Sequence, residues 1–99
     1  MIATFFHWRL REGMRDDFTA GWAAITEVLR AHGSLGSALF EQGDGTMRAL
    51  ARWPDRETRD QAFAYLDAPE AVEQMRSAIA ETLSREDCTE VANLWVAAE

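Results

Sequence analysis

Four Trp, five Phe and one Tyr in 99 residues supply much of the chemistry this chain can offer. It is chemistry of flat surfaces. Aromatic walls accept planar apolar molecules and exclude water, and the same side chains also fill small cores. Trp53 is the sharpest candidate. Met47, Ala49 and Ala51 share its face of one extended stretch, and small side chains beside a large indole leave the room from which a pocket begins. Its indole N–H is a donor suited to an oxyanion. His7 has the side chain for proton transfer near neutral pH, but it shares its face with Phe5 and Arg9. His32 fits a cation at a helix end. Two separated His and the single Cys88 give no metal-ligand spacing. Cys88 has no His near it in sequence and reads as a packing residue. Asp16-Asp17 and Glu86-Asp87 read as solvated charge.

These side chains need elements to position them. Ile2 to Arg11 alternates as a strand, with Phe6, Trp8 and Leu10 on one face. Met14 to His32 reads as a helix, because Phe18, Trp22, Ile25 and Leu29 form one apolar stripe and Gly33 suits its end. Leu35 to Gln42 and Thr46 to Trp53 read as strands joined through Gly43-Asp44-Gly45, a hairpin turn that needs positive φ. Asp55 is placed to cap a helix over Arg56 to Leu66. Pro69 opens another helix, with Val72, Met75, Ile79 and Leu83 on one stripe to about Ser84. Cys88 to Ala97 reads as the last strand. The order βαββααβ predicts an α+β, ferredoxin-like protomer: a four-stranded antiparallel sheet with helices on one face. Phe18, Trp22 and Met75 then lie on helix stripes that face a pocket or the core. Of Phe63 and Tyr65, one lines the pocket mouth while the other packs.

Both faces of that sheet carry apolar residues. Phe6, Trp8 and Leu10 oppose Phe5, while Met47, Ala49, Ala51 and Trp53 oppose Leu50. Leu35 and Leu39 oppose Ala38 and Phe40, and Ala92, Leu94 and Val96 oppose Val91 and Trp95. Helices cover one face only, so a second copy is expected to pack sheet to sheet on the other. A one-residue slip in strand phase would exchange the faces. If the Phe5 face meets the second copy, His7 lies near the interface and outside the pocket.

Composition narrows the function. Residues 1–99 leave room for a single domain. The net charge of −7 disfavours binding to a phosphate backbone, so no nucleic-acid partner is expected. The apolar start from Met1 to Trp8 is too short for a membrane span and lacks a signal peptide's basic flank. One Cys cannot form an internal disulfide, which fits a cytoplasmic protein.

The run Trp22, Thr26, Gly33-Ser34-Leu35-Gly36-Ser37, Asp44-Gly45 and Ala51-Arg52-Trp53-Pro54-Asp55-Arg56-Glu57 resembles the antibiotic biosynthesis monooxygenase domain family. That family is a branch of the dimeric α+β barrel superfamily. The opening Trp8-Arg9-Leu10-Arg11-Glu12-Gly13, followed by Phe18, matches its usual first strand and helix entry. The resemblance implies a homodimer whose two sheets form a barrel, and a pocket between sheet and helices in each protomer. Some members oxidise aromatic polyketides or quinols with molecular oxygen and no metal, flavin or other cofactor. Others degrade haem, bind small signals, or have no known reaction.

It also implies a pocket-lining role for Trp53, which matches the family's tryptophan at the end of strand three. The best-studied quinol oxygenases carry an Asn on that strand. Here the stretch offers Ala49 and Ala51, and the nearest amide is Asn93. Haem degradation needs an axial His after strand three, and none follows Trp53.

The expected function is cofactor-independent monooxygenation of a hydrophobic aromatic molecule. Trp53, His7 and Asn93 are the catalytic candidates; Trp22, Phe18, Phe63, Tyr65 and Met75 are the binding candidates. The alternatives are a non-catalytic dimeric barrel that binds an apolar ligand, and a cyclase or isomerase on the same scaffold.

Overall fold

The structure, a computed structural model, describes residues 1–96. Its elements are β1 (Ile2–Leu10), α1 (Arg15–Arg30), β2 (Ser37–Glu41), β3 (Met47–Trp53), α2 (Arg56–Ala64), α3 (Pro69–Ser77) and β4 (Ile79–Thr89). The four strands form one sheet in the order β2-β3-β1-β4, every neighbouring pair antiparallel. This is the ferredoxin-like arrangement expected from the element order.

Local chemistry explains most of the boundaries. Asp55 caps α2, its carboxylate accepting from the Thr58 amide at 2.7 Å. Pro69 occupies the first turn of α3, where its missing N–H costs nothing. Gly33, at φ +101°, lets the chain leave α1 while the Ser34 amide returns to the Leu29 carbonyl at 3.2 Å. A close approach fixes Gly21. A Cβ there would lie 2.8 Å from both the Ala71 carbonyl oxygen and the Met75 amide nitrogen, so the missing side chain lets α1 and α3 pack together.

The helices cover the face that carries Ile2, Thr4, Phe6, Trp8, Met47, Ala49 and Trp53. One buried cluster gathers Trp8, Phe18, Met47, Ala49 and Ala78; another gathers Ile2, Leu29, Trp53 and Ala62. Phe6 stacks on Trp8 with ring centres 4.9 Å apart, and Phe18 meets Trp8 edge-on at 5.1 Å. The other face holds Ala3, Phe5, His7 and Arg9 of β1, Ala38 and Phe40 of β2, and Arg48, Leu50 and Arg52 of β3. Phe5 and Phe40 are 43% and 52% exposed.

The last third departs from the expected pattern. α3 ends at Ser77, not Ser84, and β4 runs from Ile79 to Thr89, not from Cys88 to Ala97. Ile79 and Leu83 are strand residues, and Leu10 pairs with Ile79, Trp8 with Thr82 and His7 with Ser84. Register shifts beside His7 and Arg9 break the two-residue alternation of β4, so its sequence mimics helical spacing. Leu35 precedes β2, 42% exposed, its amide donating to the Arg52 carbonyl at 3.0 Å. Val91, Ala92, Leu94, Trp95 and Val96 lie beyond β4, and none of the described strands pairs with them. Ala97, the expected end of that strand, lies outside the described residues. Strand propensity alone does not make a strand where no neighbour accepts the backbone hydrogen bonds.

Candidate functional site

A cavity of about 910 Å³ lies between the covered sheet face and the helices, within the range of small-molecule sites. Its origin is visible in the strand register. Thr4 of β1 sits opposite Ala51 of β3, and Ala51 sits opposite Ser37 of β2. Three short side chains thus form one row across the sheet, and all three line the cavity. On either side of that row stand Ile2 opposite Trp53, and Phe6 opposite Ala49. Trp22, Ile25 and Leu29 of α1 close one wall, while Phe63 of α2 and Val72 and Met75 of α3 contribute to another. Phe63 meets Trp53 at 6.0 Å between ring centres, tilted by 47°.

One part of the lining is polar and ordered. Arg59 of α2 is 6% exposed. Its Nε donates to Asp60 Oδ1 at 3.1 Å, and its Nη1 donates to Thr4 Oγ1 at 3.0 Å and to Asp87 Oδ1. The Thr4 hydroxyl in turn donates to Asp87 Oδ1 at 2.9 Å. Burial works against ionisation of both Asp87 and Arg59. The Thr4 hydroxyl and the Arg59 guanidinium nevertheless hold Asp87 below the ordinary carboxylate range, and Asp87 and Asp60 hold Arg59 above its ordinary value. Arg85 places its guanidinium 5.7 Å from the centre of the Phe6 ring.

Of the residues singled out from sequence, Trp53, Trp22, Phe63 and Met75 line this cavity. Phe18 is wholly buried in the core and does not line it. Tyr65, at the end of α2, is 72% exposed and also lies off the lining, so Phe63 is the member of that pair at the cavity. His7 is on the opposite sheet face, its Nε2 2.7 Å from Thr46 Oγ1. Asn93 is exposed beyond β4, and its Oδ1 accepts from the Trp95 amide at 2.8 Å. The structure therefore does not bring His7 or Asn93 to Trp53.

Asp87 corrects the reading of Glu86-Asp87 as solvated charge: its carboxylate is paired on the covered face, because β4 places it opposite Thr4. Arg59 drew no attention in the sequence, where it is one of ten arginines. Its only local signal is its place one turn after the Asp55 cap, where its amide returns to the Asp55 carbonyl at 3.4 Å.

An antiparallel sheet in this strand order, with an aromatic cavity under its helices, defines a ferredoxin-like protomer. Solved structures of that class match over nearly the whole chain. A Chloroflexus aurantiacus protein provisionally named an antibiotic biosynthesis monooxygenase superposes with a TM-score of 0.82 at 14% identity, covering 97% of this chain and 98% of its own. SnoaB, a cofactor-independent oxygenase from Streptomyces nogalater, superposes at 0.78 with 14% identity over 94% and 95%. A Nitrosomonas europaea protein of unknown function superposes at 0.72 with 16% identity over 98% and 95%. No family sequence profile and no curated protein sequence matches the chain. The chain thus has the fold of antibiotic biosynthesis monooxygenase proteins.

Proposed function

We propose that this protein takes a flat, hydrophobic aromatic molecule into the cavity and oxidises it with molecular oxygen, the substrate itself supplying the electrons. The observation that carries this reading is the aromatic cavity, walled by Trp22, Trp53 and Phe63 over a row of short side chains, with an ordered guanidinium in its lining. Oxidation of this kind starts from a phenolate or enolate, which needs an apolar enclosure and donors for its oxygen. Trp53 and Arg59 supply such donors. For an anthrone-type substrate, a ring CH2 becomes C=O and the second oxygen atom leaves as water, the substrate giving up four electrons in all. The likeness to SnoaB supports the reading through the shared fold. His7 has no part in proton transfer within this cavity, since it faces the other way; among the lining residues Asp60 carries a carboxylate, held on Arg59 Nε, while that of Glu81 is paired with Arg9.

The bare sheet face supports a homodimer. Phe5, Phe40 and Leu50 would meet a second copy, and the apolar residues Val91, Leu94, Trp95 and Val96 begin beside that face, where Glu90 pairs with Arg52 at 2.9 Å. No described helix is long and apolar enough to cross a membrane. The exposed, unpaired Cys88 fits a reducing compartment such as the cytoplasm.

A second reading, binding without turnover, is favoured by the placement of His7 and Asn93 outside the cavity. Oxygen uptake with anthrones and hydroquinones separates the two. Uptake above the uncatalysed rate, slowed by Trp53→Phe, is the expected result. Binding of the same compounds without uptake would establish the second reading, and a rearranged product without uptake would indicate a cyclase or isomerase.

A further inference from the structure

The hydrogen bonds around His7 decide which of its ring nitrogens carries a proton. Thr46, 5% exposed, has a single hydroxyl proton. Its Oγ1 lies 2.6 Å from Asp44 Oδ1, and two oxygens approach that closely only with a proton between them. The Thr46 amide donates to the same carboxylate oxygen at 2.9 Å, and Gln42 Nε2 donates to Oδ2 at 3.2 Å. These bonds, those of Thr46 first, hold Asp44 below the ordinary carboxylate range, so the carboxylate is ionised and the hydroxyl is the donor. The Thr46 oxygen is therefore an acceptor toward His7, and His7 Nε2, 2.7 Å away, is the donor. Nδ1 is left with the lone pair, and no hydrogen bond among the described residues reaches it.

The half-buried ring stands on the bare sheet face, between Phe5 and Arg9 of its own strand and opposite Arg48 of β3 and Ser84 of β4. Arg9 is paired with Glu81, and Arg52 with Glu90. Arg48 donates only to the neutral Gln42 side chain and has no carboxylate partner among the described residues. Glu86, opposite Phe5, has no cation partner among them. The face thus carries one unmatched cation and one unmatched carboxylate around a row of Ala38, Leu50 and Phe5. A partner of one sign would leave one of those charges unmatched. A second copy brings both signs, which is the complementarity a two-fold contact requires.

A proton on Nδ1 changes that balance. On the separate protomer, water screens the imidazolium from Arg48. Under a second copy that water is gone, and the new charge is buried beside an arginine that no carboxylate offsets. Asp44 reaches the ring only through Thr46, at Nε2, and is already held by three donors. The neutral ring instead presents a lone pair that a donor of the other copy can meet.

We propose that His7 is a proton switch on self-association: two copies join through the bare face while His7 is neutral, and protonation of Nδ1 drives them apart. The proposal rests on the reading of the bare face as a homodimer interface and adds what controls it. The associated form binds fewer protons than the separate protomers, so association strengthens as pH rises through the histidine range and weakens as pH falls.

Sedimentation equilibrium of the full chain tests this. The dissociation constant should rise about tenfold or more from about pH 8 to about pH 5.5. His7→Gln keeps an amide donor for Thr46 and takes up no proton, and it should associate equally at both. A wild type of 11.2 kDa at both would overturn the homodimer reading, and this proposal with it. Association of equal strength at both would overturn the proposal and leave the homodimer standing, as would a pH dependence that His7→Gln retains. Should His7→Gln not fold, NMR of the histidine ring protons in wild type gives the answer. The His7 titration midpoint should fall as protein concentration is raised through the range of association, while that of the exposed His32 stays in place. A His7 midpoint that ignores concentration across that range overturns the switch.

Discussion

Neighbouring residues of β1 live in two different environments. Ile2, Thr4 and Trp8 are 8%, 1% and 5% exposed, whereas Phe5, between them, is 43% exposed. On the covered face, apolar area is shared between a core and a cavity, and the cavity exists because one row of the sheet carries Thr4, Ala51 and Ser37 in place of large side chains. On the bare face, Phe5 and Phe40 stand among Arg9, Arg48 and Arg52, 43% and 52% exposed, with no described helix packed over them. The contrast shows how a chain this small can afford a cavity. Its core divides into two clusters, one around Trp8 and Phe18 and one around Trp53 and Leu29. No described helix covers the bare face.

The contrast can be broken from either side. Phe18→Ala, at a wholly buried position against Trp8, should lower stability by about 3–5 kcal/mol in urea unfolding. A loss below about 1 kcal/mol would show that this cluster is not the core of the covered face. The paired change Phe5→Ser and Phe40→Ser should leave the protomer folded and weaken self-association by roughly 2 kcal/mol or more per side chain, read by sedimentation. Wild type sedimenting as a single 11.2 kDa protomer would remove the bare face as an interface.

A smaller effect sharpens the polar part of the covered face. Asp87 is held below the ordinary carboxylate range when folded, so its contribution is present above about pH 4 and is lost as pH falls further, through its folded value. Asp87→Asn should therefore cost roughly 1–3 kcal/mol at neutral pH. The difference from wild type should shrink in melts taken below pH 4, and a constant difference would contradict the pairing with Arg59 and Thr4. Smallest of all is Arg9→Ala. Its partner Glu81 and Arg9 itself are each 56% exposed, and the stability change should stay within about 0.5 kcal/mol.

Much of this arrangement was legible along the chain. The alternation in β1 and β3, the apolar stripe of α1, the Asp55 cap and Pro69 all act locally, through residues within a turn or a strand of each other. So did the small residues beside Trp53, which pointed to the right wall of the cavity. The end of the chain misled for an equally physical reason. Val91 to Val96 has the composition of a strand but no neighbour to pair with, whereas the polar stretch up to Thr89 pairs with β1 because β1 has a free edge there. Arg59 and Asp87 lie 28 residues apart, and nothing near either one announces the other.

Sequence by itself determined the succession of elements as far as Pro69 and the apolar character of both sheet faces, because hydrophobic periodicity, caps and turns operate over a few residues. Tertiary structure alone decided where β4 begins, which sheet face His7 joins, and that Arg59, Thr4 and Asp87 meet at the cavity. Those outcomes depend on strand register and on contacts between distant segments, and register is settled only when the strands pair.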